Sequence, residues 1–196
     1  MMSIMNNKTH VNRITNTTSL FGALLEDRII MINGVIDENL SATVIAQMLY
    51  LDAIDHSPIQ LYLNSPGGIA SFGIYDCIQN LHSPVQTLCI DSASSMGAFL
   101  LSSGTKGLRA ATPNARIMIH QIASSVGGKF TDIKIQTREM QITKDKLNKI
   151  LAKNTGKSIE EIEKDTENGD YYMSAEEALE YGLIDKILYP EEKNKT

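Results

Sequence analysis

Three groups of residues in this 196-residue chain are of types and spacings that could do chemistry. The first is Asp91-Ser92-Ala93-Ser94-Ser95-Met96-Gly97, small residues between an apolar stretch and a short helix. A hydroxyl on such a tight turn is exposed for attack and lies near helix N-terminal amides that stabilise negative charge. Spacing alone does not choose between Ser92, Ser94 and Ser95, and helix capping by one of them is the simpler reading. Ala93 stands where the first glycine of a G-x-S-x-G elbow would be, so that motif is not present. The second group is Ser65-Pro66-Gly67-Gly68, where paired glycines let main-chain amides approach a ligand closely, as an oxyanion hole requires; a plain turn is the alternative. The third is His120 at the end of RIMIH, placed to face a site at a sheet edge or to serve as a hydrogen-bonded structural histidine.

Other signals point away from chemistry. Gly156-Lys157-Ser158 has the ending of a phosphate-binding loop, but Leu151 occupies the position of its first glycine and the segment joins two helices. His10, His56 and His82 sit in polar or turn-like sequence and read as solvated. With His120 they are scattered, so no metal-ligand cluster is expected. Cys77 and Cys89 lie in apolar surroundings without CxxC spacing and read as buried free thiols.

The elements that must position these residues follow a strand–helix rhythm. Arg28–Ile36 and Ile59–Leu63 read as strands, Glu38 onward as a helix with Leu40, Val44, Met48 and Leu51 on one face, and Phe72–Leu81 as another helix. Val85–Ile90 and Arg116–His120 are apolar strands fit for burial on both faces, with the short helix GAFLLSSG between them. Such alternation predicts a parallel sheet covered by helices. Thr131–Lys153 reads as a long, largely polar helix that projects and finds a partner, stopped at Thr155-Gly156. Ser158-x-x-Glu161 and Ser174-x-x-Glu177 are capping boxes opening two short helices, the second closed by Gly182, and LIDKIL is a last strand. The polar residues 1–19 read as a mobile arm, 20–189 as one domain, and 190–196 as a charged tail.

Composition bounds the function. Hydrophobic residues at 42% and charged residues at 21% exclude a disordered chain. A net charge of −5 without a basic run excludes a typical nucleic-acid binder. No apolar stretch approaches a membrane span, and the N-terminal segment lacks the apolar core of a secretory signal, so a cytoplasmic location is expected.

Taken together, NSPGG (Asn64–Gly68), ASSMGAFLLSSGTKG (Ala93–Gly107), PNARIMIHQ (Pro113–Gln121) and SAEEALEYGLIDKI (Ser174–Ile187) resemble the proteolytic subunit of the ATP-dependent Clp protease, the ClpP family. The resemblance runs from about Leu24 to Leu188. It implies an α/β ClpP/crotonase-like fold of stacked β-α-β units, with residues 121–154 forming a handle between two stacked heptameric rings. It implies a serine endopeptidase with Ser95 as nucleophile, His120 as general base and Asp170 as the acid that orients it. Gly68 and Met96 match the oxyanion-hole donors. No cofactor or metal is implied in this chain; ATP is used by a partner AAA+ unfoldase such as ClpX or ClpA/ClpC. A ring subunit that binds partners without cutting, and an acyl-CoA enzyme sharing the fold, are the competing readings.

Departures from the family pattern cluster near these residues. The stretch Ile69-Ala70-Ser71-Phe72-Gly73, just after an oxyanion donor, is shorter than in typical relatives. Asn168-Gly169 replaces a single residue, usually Arg, before Asp170; the longer turn either delivers Asp170 or presents Gly169 in its place. Ile122 stands where relatives often have Pro, the arm lacks the family's pore-shaping stretch, and Gln60 replaces an aromatic beside Tyr62 in the chaperone-docking pocket. These changes suggest a divergent paralogue working beside or inside a barrel with a more typical ClpP subunit.

Overall fold

Strand and helix alternate through the first half of the chain because each apolar strand needs helical cover on its faces. The computed structural model describes residues 17–190. It opens with α1 (Thr17–Glu26), β1 (Ile29–Asn33), α2 (Glu38–Ile54), β2 (Ile59–Ser65), α3 (Phe72–Asn80), β3 (Val85–Ser94) and α4 (Met96–Ser102). Next come β4 (Arg109–Ala111), β5 (Arg116–Ile119), α5 (Phe130–Thr155), α6 (Ile159–Glu167), β6 (Tyr171–Met173), α7 (Ala175–Tyr181) and β7 (Lys186–Ile187).

The strands β1, β2, β3, β4 and β7 lie side by side in that order and run parallel. Ile59, Leu61 and Leu63 of β2 are fully buried, with Gln60, Tyr62 and Asn64 half-buried on the other face. Leu88 and Cys89 of β3 and Ile117, Met118 and Ile119 of β5 are buried in succession rather than alternately, as strands covered on both faces should be. β3 has two partners in turn on one edge: Thr87–Cys89 pairs with β4, and Ser92–Ser94 pairs with β5. β6 then pairs antiparallel with β5.

Local signals set several boundaries. Asp37 caps α2 by accepting from the Leu40 N–H at 2.8 Å. Both expected capping boxes form, Ser158 with Glu161 and Ser174 with Glu177. Gly182 ends α7 at φ +92, and any Cβ there would lie 2.3 Å from the Thr155 carbonyl oxygen. α5 is 26 residues, about 39 Å long. Its buried side chains, Asn148 and Leu151, are in its C-terminal half, whereas Phe130 and Ile135 near its start are 76% and 63% exposed. The helix therefore docks by one end and projects by the other.

Three expectations are corrected, and two short strands are added to them. Order does not begin at Leu20, because α1 is already helical at Thr17; its apolar Leu25 packs on the core. The rest of the expected arm, and the tail after Pro190, lie outside the described residues. The three-residue strands β4 and β6 were not anticipated, and LIDKIL contributes only the two-residue β7. Cys89 is buried and its thiol is pushed up to about 12 by desolvation, with the Asp91 charge adding to it. Cys77 is only half-buried. Among the described residues no helix is long and apolar enough to cross a membrane.

Arg109 of β4 is 1% exposed and anchors one side of the molecule. Its Nε and one terminal nitrogen donate to the Asp185 carboxylate at 2.8 and 2.7 Å, and the other donates to the Ser102 and Asn154 carbonyls. Burial alone would raise the Asp185 carboxyl, but hydrogen bonds from Arg109 and its charge bring it down to about 2. Because that value lies below the ordinary 3.8, the stabilisation is complete above about pH 4 and is lost as the pH falls through 2. Asp185→Asn, which leaves the guanidinium buried without its counter-charge, should lower unfolding free energy at pH 7 by about 3–5 kcal/mol. Denaturant titrations should show that deficit narrowing below about pH 4; a deficit independent of pH would contradict the assignment.

Candidate active site

Ser95 follows β3 directly and precedes α4, with φ +56° and ψ −120°. For a residue with a Cβ that conformation costs on the order of 1–3 kcal/mol. Two backbone hydrogen bonds hold it, Ser95 N–H to the Met118 carbonyl at 2.8 Å and Phe99 N–H to the Ser95 carbonyl at 3.0 Å. Although Ser95 occupies the N-cap position of α4, its side chain makes no capping hydrogen bond. The alternative of helix capping thus fails for this serine. Ser92 is committed elsewhere, donating to Asn64 Oδ1 at 3.3 Å.

The strand register brings the histidine to it. Ser94 pairs with Met118 in the parallel β3–β5 ladder. His120 lies just beyond β5, with Nε2 2.8 Å from Ser95 Oγ. On the other side of β5, the antiparallel ladder pairs Ile119 with Tyr171. Continuing that ladder by one position sets His120 opposite Asp170, and Asp170 Oδ1 is 3.4 Å from His120 Nδ1. The Gln121 N–H donates to the Thr166 carbonyl at 3.1 Å and fixes the exit of β5 against the end of α6. The His120 side chain is 26% exposed and that of Asp170 is 52% exposed. The His–Asp contact is the longer of the two, and such contacts often tighten only with substrate bound.

The longer turn before Asp170 is absorbed upstream of the ladder. Asn168 terminates α6 and its side-chain amide donates to the Lys164 carbonyl at 2.7 Å. Gly169 then reverses the chain at φ +118°. Asp170, not Gly169, therefore faces the imidazole.

The glycine loop packs against the serine turn. A Cβ on Gly67 would lie 2.7 Å from the Ser95 Cβ and 3.2 Å from the Met96 nitrogen. One on Gly68 would lie 2.0 Å from the Ile36 carbonyl oxygen, because Ile36 brackets the loop: its N–H donates to the Gly67 carbonyl and its carbonyl accepts from Ile69 N–H. Among the described residues, the N–H groups of Gly68 and Met96 find no protein acceptor. Two uncommitted donors thus stand in the serine turn and in the glycine loop that packs against it.

Sequence reasoning missed part of this. That a side chain on Gly67 would strike Ser95 was not foreseen, and the tandem glycines were the available signal. The expectation of scattered histidines does not hold: His56 and His82 converge on Asp52. Both are solvent-exposed as expected, while His10 is outside the described residues. The Gly156–Ser158 segment joins α5 to α6, so the phosphate-loop reading is set aside on structure as on sequence. Tyr62 donates to Gln60 Oε1 at 3.2 Å on one face of β2.

Compared with known protein families, residues 12–191 match the family described as Clp protease, which is most of the chain.

The strain at Ser95 is measurable apart from any activity. Ser95→Gly should be more stable than Ser95→Ala by about 1 kcal/mol in urea titrations, because glycine adopts positive φ without steric cost. An alanine variant as stable as the glycine variant would mean the turn is relaxed. Gly68→Ala, which drives a Cβ into the Ile36 carbonyl, should cost at least as much as the strained serine.

Proposed function

Because the chain belongs to the Clp protease family, we propose that it is a serine endopeptidase subunit cleaving unfolded polypeptides to short peptides inside a ring assembly. The observation that carries this reading is the 2.8 Å contact between Ser95 Oγ and His120 Nε2 at a serine held in a strained turn. A serine hydroxyl is a weak nucleophile until an imidazole accepts its proton. As Ser95 Oγ attacks the scissile carbonyl, His120 takes that proton, and Asp170 holds the tautomer and stabilises the imidazolium. The Gly68 and Met96 amides receive the oxyanion, each contributing on the order of 3 kcal/mol. His120 then protonates the leaving amine, and a water activated by the same imidazole releases the acyl-enzyme. None of these steps needs a cofactor in this chain.

The projecting half of α5 supports the assembly. Its exposed Phe130, Ile135 and Ile142 leave apolar surface without a partner in the monomer, as a contact between stacked rings would require. We assign ring partners to further copies of this chain or to a second ClpP paralogue, with unfolded substrates supplied in the cytoplasm by an AAA+ ATPase such as ClpX or ClpA/ClpC. The half-exposed Asp170 favours one second reading, a ring subunit that does not cut by itself.

A fluorophosphonate probe separates the two. The assembled particle should label on this chain, with labelling abolished in Ser95→Ala and in His120→Ala. Asp170→Asn should slow it by roughly 10²–10⁴-fold. A wild-type chain that stays unlabelled in the assembled particle with its unfoldase present would make it a structural subunit.

A further inference from the structure

The geometry points to a surface site for a divalent transition-metal ion of the Zn²⁺ type, formed by Asp52, His56 and His82. Asp52 lies in the last turn of α2, and the chain leaves that helix at Asp55 so that His56 returns over it, Nδ1 to Asp52 Oδ1 at 3.5 Å. His82 comes from the turn between α3 and β3, with its Nδ1 3.5 Å from Asp52 Oδ2. The two imidazoles stand 4.9 Å apart between ring centres, and the three donor atoms all lie within 4.8 Å of one another. A tetrahedral ion with bonds of about 2.0–2.1 Å spaces its ligands roughly 3.4 Å apart. The His82 Nδ1–Oδ2 distance is already at that spacing; His56 Nδ1 faces Oδ1, and its exposed ring has to turn toward Oδ2 and draw closer to His82 to complete the site.

The carboxylate is prepared for this role. Ser83 donates to Asp52 Oδ1 from both its N–H and its Oγ at 2.7 Å, while Oδ2 receives only the long 3.5 Å contact from the His82 N–H. Oδ2 therefore keeps lone pairs for an ion, and the side chain, 14% exposed, is oriented by outer hydrogen bonds of the kind that support metal ligands. Arg28 donates to Ser83 Oγ at 3.3 Å, and its charge is offset by Asp55 at 3.4 Å. Two imidazoles and a carboxylate suit Zn²⁺, Ni²⁺ or Cu²⁺ over Mg²⁺ or Ca²⁺, which favour all-oxygen sites. The site lies before β2 and β3, at the opposite strand ends from Ser95, roughly 30 Å along β3. An ion there would staple the end of α2 to the turn that enters β3.

Calorimetric titration of the untagged full chain with Zn²⁺ tests this. One ion per chain should bind at micromolar concentration, and His56→Ala and His82→Ala should each weaken binding at least tenfold. Ser83→Ala should weaken it by roughly tenfold through the carboxylate, and His120→Ala should leave it unchanged. With Cu²⁺ as probe, electron paramagnetic resonance should show nitrogen ligation that disappears in the double histidine variant. Because both rings are largely exposed, metal-free melting curves of the variants should match the wild type. Wild-type binding that is absent at micromolar Zn²⁺, or that survives intact in the double variant, overturns the site.

Discussion

Midway along β3 the chain exchanges one neighbour for another. Its first half pairs with β4 and its last residues pair with β5, which in turn carries β6 antiparallel on its far edge. Ser95, His120 and Asp170 leave or enter these three strands at the same end, so main-chain hydrogen bonds alone bring together residues far apart in sequence. The dependence on register is severe, since a slip of one position turns every side chain of a strand to the opposite face. The site is thus a property of the pairing rather than of any one segment.

That pairing also explains how the serine turn is kept strained. Its conformation is over-determined by the Met118 carbonyl on one side, by Phe99 on the other, and by Gly67 pressed against its Cβ. Every residue of α4 is buried, so the turn has no freedom to relax outward. The Arg109–Asp185 pair secures β4, the other neighbour of β3, to the ends of α4 and α5. Glycine at 67 and 68 is required by close backbone approach, whereas glycine at 169 is required only by its positive φ.

How much of this was legible in the sequence depends on how local the cause is. The capping boxes at Ser158 and Ser174, the strand Ile59–Leu63 and the long polar helix are set by neighbours a few residues away, and each was found. β4 and β6 escaped because three residues carry no periodicity and are strands only through their partners. The choice of Ser95 over Ser92 and Ser94 was open on spacing, since it rests on a backbone dihedral and on the β3–β5 ladder; only the family resemblance pointed to it. The position of Asp170 after a longer turn was undecidable for a similar reason, as the ladder with β5 determines which residue meets His120. Asp52 and His56 stand four residues apart and could have been noticed, but His82 joins them from a separate turn.

The most direct measurement is a crystal structure of the fluorophosphonate-treated protein. The account predicts phosphorus bonded to Ser95 Oγ, with one phosphoryl oxygen about 2.7–3.1 Å from both the Gly68 and Met96 nitrogens. His120 should remain between the adduct and Asp170. An adduct whose oxygen points to solvent, with those two amides still unpaired, or one formed on a different residue, would contradict it.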